Sequence, residues 1–203
     1  MTIVYLLLFA ISLFPTQTGD ETKTILFYGD SITAGYGIGT ELAFPKLIED
    51  KLKNDGYRVE VINGGLSGET TAGGLTRIDW MLNRNYDIFI LELGGNDGLR
   101  GLPLAETRRN LNRIIERVKA KNPKTKIVVA GMMVPPNMGP EYSAEFRGIF
   151  KEIAAENQAI LIPFLLEDVG GVEKLNQPDG IHPNVKGHQV IADNIYPVIK
   201  KLL

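Results

Sequence analysis

The residues able to do chemistry in this chain are few. There is no cysteine and there are only two histidines, His182 and His188. Against that sparse background four short polar blocks stand out: Gly29-Asp30-Ser31, Leu66-Ser67-Gly68-Glu69, Gly94-Gly95-Asn96-Asp97 and Asp179-Gly180-Ile181-His182-Pro183. A serine hydroxyl is a weak nucleophile until a base sits beside it, and Ser31 is the candidate nucleophile. His182 is the better of the two imidazoles, because Asp179 lies three residues earlier across a glycine and can orient its far nitrogen. A tetrahedral intermediate also needs donors for its oxyanion. The backbone N–H groups of Ser31 and Gly68 and the side-chain amide of Asn96 are suitable, and glycine at 68 lets the backbone come close. Taken singly, each block also suits a turn: Asp-Gly is a common turn pair, and Asp30 and Ser31 can cap one.

The elements that would have to position these groups follow from the apolar pattern. Residues 24–28, 58–62, 86–93, 126–130 and 159–163 are short, largely apolar runs with β-branched or aromatic members, and read as strands. Residues 43–54, 72–82 and 104–121 read as helices, as does a segment opened by Ser143 and a last one that buries Ile191, Ile195, Val198 and Ile199. Pro197 is expected to kink or restart that last helix. Residues 32–42 read as a loop, and residues 135–140 as a stiff, proline-rich one. Strand and helix alternate five times. The expected fold is therefore a three-layer α/β/α sandwich on a five-stranded parallel sheet, with right-handed crossovers and the flavodoxin-like strand order 2-1-3-4-5. In such a sheet the loops carrying Ser31, Gly68 and Asn96 emerge at one edge, and the Asp179–His182 turn follows the fifth strand to the same edge. Asp30 and Asp97 are expected to be structural, with Asp30 accepting hydrogen bonds that set the serine loop. His188 is expected to be a satisfied or exposed residue, and Phe27, Tyr28, Phe89 and Phe164 to be core.

Composition narrows the class. A length of 203 residues suits one domain with a full core. A formal net charge of -2 gives no attraction to nucleic acid or to an anionic membrane. The lack of cysteine removes disulfides and thiol catalysis, and two histidines make a multi-imidazole zinc site hard to build. Residues 1–14 are almost wholly apolar and carry no charge, but are too short for a membrane-spanning helix, which needs ~20 residues. They read as an export signal or a retained anchor, although no Lys or Arg precedes the apolar run and no A-x-A site follows it. Residues 1–22 are accordingly set apart from a domain over residues 23–203.

GDSIT at 29–33, Gly68 within LSGET, GGND at 94–97 and DGIHP at 179–183 together resemble the GDSL or SGNH hydrolase family. All four blocks occur in family order across nearly the whole chain after Lys23. ELGGNDGLRG at 92–101 and SGETTAGG at 67–74 are most similar to the bacterial branch of multifunctional thioesterases, arylesterases and lysophospholipases. The resemblance implies Ser31 as nucleophile, Gly68 and Asn96 as oxyanion donors, and an Asp179–His182 pair. It implies a serine near the N-terminus rather than in a G-x-S-x-G elbow, and none occurs here. It suggests that Pro135, Pro136 and Asn137 line an acyl pocket, and that the protein is periplasmic or secreted. The implied activity is hydrolysis of a small-molecule fatty-acyl ester, thioester or lysophospholipid by a monomer, without metal or organic cofactor. A carbohydrate O-acetylesterase, and an inactive binding protein on the same fold, are the alternatives.

Overall fold

The structure, a computed structural model, describes residues 21–203; the apolar N-terminal run lies outside the described residues. A five-stranded, all-parallel sheet runs in the order β2-β1-β3-β4-β5. The strands are β1 (Lys23–Gly29), β2 (Val59–Asn63), β3 (Ile88–Glu92), β4 (Lys126–Ala130) and β5 (Ile160–Ile162). Strand β1 is an interior strand, apolar on both faces: Ile25, Leu26, Phe27 and Tyr28 are all fully buried. It pairs with β2 on one side and β3 on the other, placing Gly29 beside Glu92 at the end of the ladder.

The helices form two packed sets. Helix α2 (Phe44–Asn54) lies on α7 (Val185–Lys200); α3 (Thr71–Met81) lies on α5 (Leu104–Lys121), and α5 on α6 (Pro140–Glu156). Parallel crossovers of one hand put one set on each face of the sheet. Helix α5 shows why it forms there. Leu104, Leu111, Ile114, Ile115 and Val118 make one buried stripe, while Arg108 pairs with Glu152 and Glu156, Arg109 with Glu106, and Arg117 with Asp79. These arginines are tied to neighbouring carboxylates, chiefly of α6 and α3, so they form no free basic patch.

Several boundaries differ from the sequence reading. The stretch taken as loop begins with a short helix, α1 (Ser31–Ala34), and another, α4 (Gly95–Leu99), follows β3. Both are too short and too glycine-flanked to leave a period in the sequence. Helix α6 starts at Pro140, not at Ser143; proline suits the first helical position because it has no N–H to satisfy. Helix α7 runs through Pro197 without restarting.

Candidate active site

Ser31 begins α1 directly beyond β1, and the core fixes it from several sides. Asp30 caps the helix, its Oδ1 accepting the Ile32 N–H at 3.0 Å, and Gly35 ends it in the left-handed region at φ 73. From β3, the Glu92 carboxyl reaches the Asp30 N–H and the Thr33 hydroxyl. From the end of β2, the Asn63 amide donates to the Thr33 carbonyl at 2.8 Å. Gly65 lies so near α1 that a Cβ there would collide with the Thr33–Ala34 backbone. The serine helix is thus wedged between the ends of β2 and β3.

The histidine is held differently. Asp179 Oδ1 accepts the N–H groups of Ile181 and His182 at 2.9 and 3.0 Å, which closes the turn on itself. Gly180 supplies the left-handed step at φ 71. The other oxygen, Oδ2, lies 2.7 Å from His182 Nδ1, and His182 Nε2 lies 2.9 Å from Ser31 Oγ. The two backbone N–H groups and the imidazole hold the Asp179 carboxyl down to about 2, so it is an acceptor and the Nδ1 proton is the one donated. Nε2 is then free to accept from the serine hydroxyl. The Tyr36 ring packs on the imidazole with centroids 4.6 Å apart.

Asn96 arrives from α4. Its amide nitrogen lies 3.1 Å from Asp30 Oδ2 and 3.1 Å from the Glu69 carbonyl. Burial pushes the Asp30 carboxyl up to about 6, against the pull of the Ile32 N–H, His182 and Asn96. Gly68 stands at φ 78, and among the described residues neither its N–H nor that of Ser31 has an acceptor in the chain. The loop carrying Gly68 is braced by the Glu69–Arg77 ion pair, with the Arg77 guanidinium 4.4 Å over the Tyr28 ring. The Arg100 guanidinium donates to the Gly68 carbonyl at 3.0 Å.

Ser31, His182 and Asn96 open onto a cleft of about 610 Å³ whose walls are mostly apolar: Leu99, Met132, Met133, Phe164, Leu166 and Ile181. Pro135 also lines it, while Pro136 and Asn137 belong to the 3-10 turn that follows, with Asn137 exposed. Phe164 is a half-buried wall residue and not core, because its strand has already ended at Ile162. Phe27, Tyr28 and Phe89 are core as expected. Asp97 is structural: it accepts from the Thr71 N–H at 2.8 Å and from the Thr107 hydroxyl, tying α4 to α3 and α5. His188 is buried and takes no part in the Ser31–His182–Asp179 relay, its Nδ1 accepting the Phe44 N–H at 3.1 Å. Among the described residues no cluster of three or more His, Asp or Glu side chains could hold a metal ion.

Sequence reasoning missed three supports. Glu92 opens the ELGGNDGLRG stretch but received no role of its own, because a lone carboxyl ending a strand looks solvated. Tyr36 sat in a stretch read as loop. Gln177 lies just before the Asp179 turn, and its role depends on joining that turn to Tyr36, far away in sequence. Its N–H donates to the His182 carbonyl at 2.7 Å, and its amide donates to the Tyr36 and Pro183 carbonyls at 2.7 and 3.0 Å.

The fold and the site together define a three-layer α/β protein with a Ser–His–Asp array at the carboxyl edge of its sheet. The chain belongs to the GDSL-like lipase/acylhydrolase family, whose model matches residues 27–190 and so takes in all four polar blocks. It is 38% identical over 182 residues to the protein named Esterase TesA of Pseudomonas aeruginosa, covering 89% of this chain and 90% of that one. It is 37% identical over 171 residues to the Escherichia coli K12 protein named Thioesterase 1/protease 1/lysophospholipase L1, covering 84% and 80% respectively. Among solved structures, the psychrotrophic esterase EstA from Pseudoalteromonas, inhibited by monoethylphosphonate, superposes with a TM-score of 0.83 at 36% identity over 88% of this chain and 97% of that one.

Proposed function

We propose that this protein is a serine acyl-ester hydrolase acting on fatty-acyl esters, thioesters or lysophospholipids. The observation that carries the reading is the unbroken relay from Asp179 Oδ2 to His182 Nδ1 at 2.7 Å and from His182 Nε2 to Ser31 Oγ at 2.9 Å, opening onto an apolar cleft. Ser31 Oγ attacks the carbonyl carbon while its proton passes to His182 Nε2. The oxyanion takes the N–H groups of Ser31 and Gly68 and the Asn96 amide, which exchanges one of its two bonds to do so. Collapse of the intermediate expels the alcohol or thiol, which leaves with the proton from His182. Water, deprotonated by His182, then attacks the acyl-enzyme, releasing the carboxylic acid and restoring Ser31. Protons balance within the triad, so the steps call on no cofactor.

Pro135 and the apolar walls of the cleft take the acyl chain in this reading, with Pro136 and Asn137 at its margin. Names of the relatives support the substrate class: an esterase, and a thioesterase and lysophospholipase. Residues 1–22 direct export to the periplasm or beyond, or anchor the domain formed by residues 23–203, which acts as a monomer. Among the described residues no helix is long and apolar enough to cross a membrane.

The test is hydrolysis of p-nitrophenyl esters of graded chain length by the wild type and Ser31→Ala. Turnover of medium and long chains, lost in a folded Ser31→Ala protein, is the expected result. Full activity in that variant removes Ser31 as the nucleophile, and cleavage of acetate alone favours a sugar O-acetylesterase. No turnover by folded wild type favours a binding protein.

A further inference from the structure

Directly behind Ser31 lies a carboxyl that the reaction does not use. Glu92 ends β3 fully buried, beside Gly29 in the ladder. One of its oxygens, Oε2, accepts the Asp30 N–H at 3.1 Å and the Thr33 hydroxyl at 2.7 Å. Those two residues flank Ser31, one before it and one two positions after. A single atom therefore ties down the chain on both sides of the serine. Gly29 makes the room, since a Cβ there would collide with Oε2 and with the Thr33 hydroxyl. The other oxygen, Oε1, has no partner among the described residues.

Glu92 and Asp30 form a buried carboxyl pair, and two such groups side by side do not both ionise. Their partners differ. Asp30 accepts the Ile32 N–H and the Asn96 amide, and faces His182. Glu92 has an orphan oxygen, and both burial and the adjacent Asp30 push its carboxyl well above the ordinary range. The other charged group facing the pair is Glu69 from the β2–α3 loop, itself matched by Arg77. The anion therefore belongs on Asp30 and the proton on Glu92.

We propose that Glu92 is a positioning residue for the nucleophile: through one carboxyl oxygen it clamps the chain on either side of Ser31, and as the uncharged member of the pair it leaves Asp30 to hold the Asn96 amide. This rests on the reading of Ser31 as nucleophile and Asn96 as oxyanion donor. It makes a distinction between shape and charge. Glu92→Gln keeps an acceptor oxygen of the same reach and no charge; Glu92→Leu keeps bulk and loses the clamp.

The experiment measures kcat and KM on a p-nitrophenyl ester, and the urea midpoint from pH 6 to 9, for wild type, Glu92→Gln and Glu92→Leu. Glu92→Leu should lower kcat by about tenfold or more with KM little changed, because a displaced nucleophile misses its attack geometry. Glu92→Gln should restore kcat to within about threefold of wild type, a gap far below the cost of misplacement. The wild-type urea midpoint should fall as pH rises, since the unfolded chain releases the Glu92 proton and the folded chain keeps it; Glu92→Gln should flatten that slope. A Glu92→Leu enzyme with wild-type kcat overturns the clamp. A Glu92→Gln enzyme as poor as Glu92→Leu, or identical midpoint slopes in wild type and Glu92→Gln, overturns the uncharged carboxyl. The midpoint slopes need no turnover, so they stand even if Ser31→Ala retains activity and the nucleophile reading fails.

Discussion

The two halves of the catalytic array are built to different standards of support. On the nucleophile side, Asp30 and Ser31 are 2% and 8% exposed, and the bonds that hold Asp30 and Thr33 on either side of the serine come from β3, β2 and α4, all distant in sequence. On the base side, the Asp179 side chain is 39% exposed and that of His182 20%. There the turn is held by bonds among neighbours: Asp179 to the N–H groups of Ile181 and His182, and Gln177 to the ends of the same turn. The difference teaches that both sides of the site carry rate, while the nucleophile side also carries stability. A defect on the nucleophile side disturbs the core as well as the chemistry. A defect on the base side disturbs the chemistry and leaves the core intact.

The sharpest way to break that contrast is Asp179→Ala. The wild-type carboxylate sets the tautomer and stabilises the imidazolium, so kcat should fall by about 10³-fold or more, by analogy with loss of the triad carboxylate in serine proteases. The urea midpoint should hardly move, because the lost bonds are local and the group is exposed. Parallel kinetics and urea titration decide it. A midpoint that drops along with kcat would show that the base turn is part of the cooperative core after all.

A smaller effect is expected from Gln177→Ala. Gln177 is the side chain that spans the two halves, joining the Tyr36 carbonyl, past the serine helix, to the Pro183 carbonyl, next to the base. Without it the imidazole and the Tyr36 ring that packs on it lose a shared tether, and kcat should fall by about tenfold, a modest misplacement cost. Stability should change by about 1 kcal/mol, the worth of ordinary hydrogen bonds. Gln177→Glu keeps the length but has no donors and should behave like the alanine variant. If the glutamate variant keeps full activity, the tether is not made by those donor bonds.

The same contrast explains what the sequence made legible. The strands and α5 are readable because each leaves a local signature, largely apolar runs for the parallel strands and a single stripe in α5, and the strand order follows from the alternation of strand with helix. The four polar blocks are readable because each packs its chemistry into a few consecutive residues, and Asp179 to His182 needs only a turn. Glu92, Tyr36 and Gln177 are not readable, because each acts through a partner that only the folded chain brings near. The short helices α1 and α4 are hidden for a related reason. They are single turns, α1 fixed by its Asp30 cap and α4 by the long-range bonds of Asn96 and Asp97, and have no periodicity of their own.

The base side does have one anchor in the core, and it gives the smallest and most specific prediction. His188 follows the turn on α7, is 1% exposed, and accepts the first N–H of α2 on its Nδ1. That bond needs an unprotonated Nδ1, and burial, aided by the nearby His182, holds the imidazole down to about 4 from its ordinary 6.5. The folded chain then binds fewer protons than the unfolded chain between those values. Its contribution to stability is therefore complete above about pH 6.5 and is lost as pH falls through that window toward 4. The full loss is bounded at about 3 kcal/mol, at 1.36 kcal/mol per unit. Asn at 188 can offer an oxygen near the position of Nδ1 and cannot protonate. The stability gap between wild type and His188→Asn, read from urea titrations, should shift in favour of the variant between pH 7.5 and 4. Because Ser31 and His182 lie outside this bond, kcat at neutral pH should stay within about twofold, as for a substitution that leaves the attack geometry in place. A gap that stays constant across the range would mean that His188 titrates alike in both states, and the base-bearing turn would then have no pH-sensitive hold on the core.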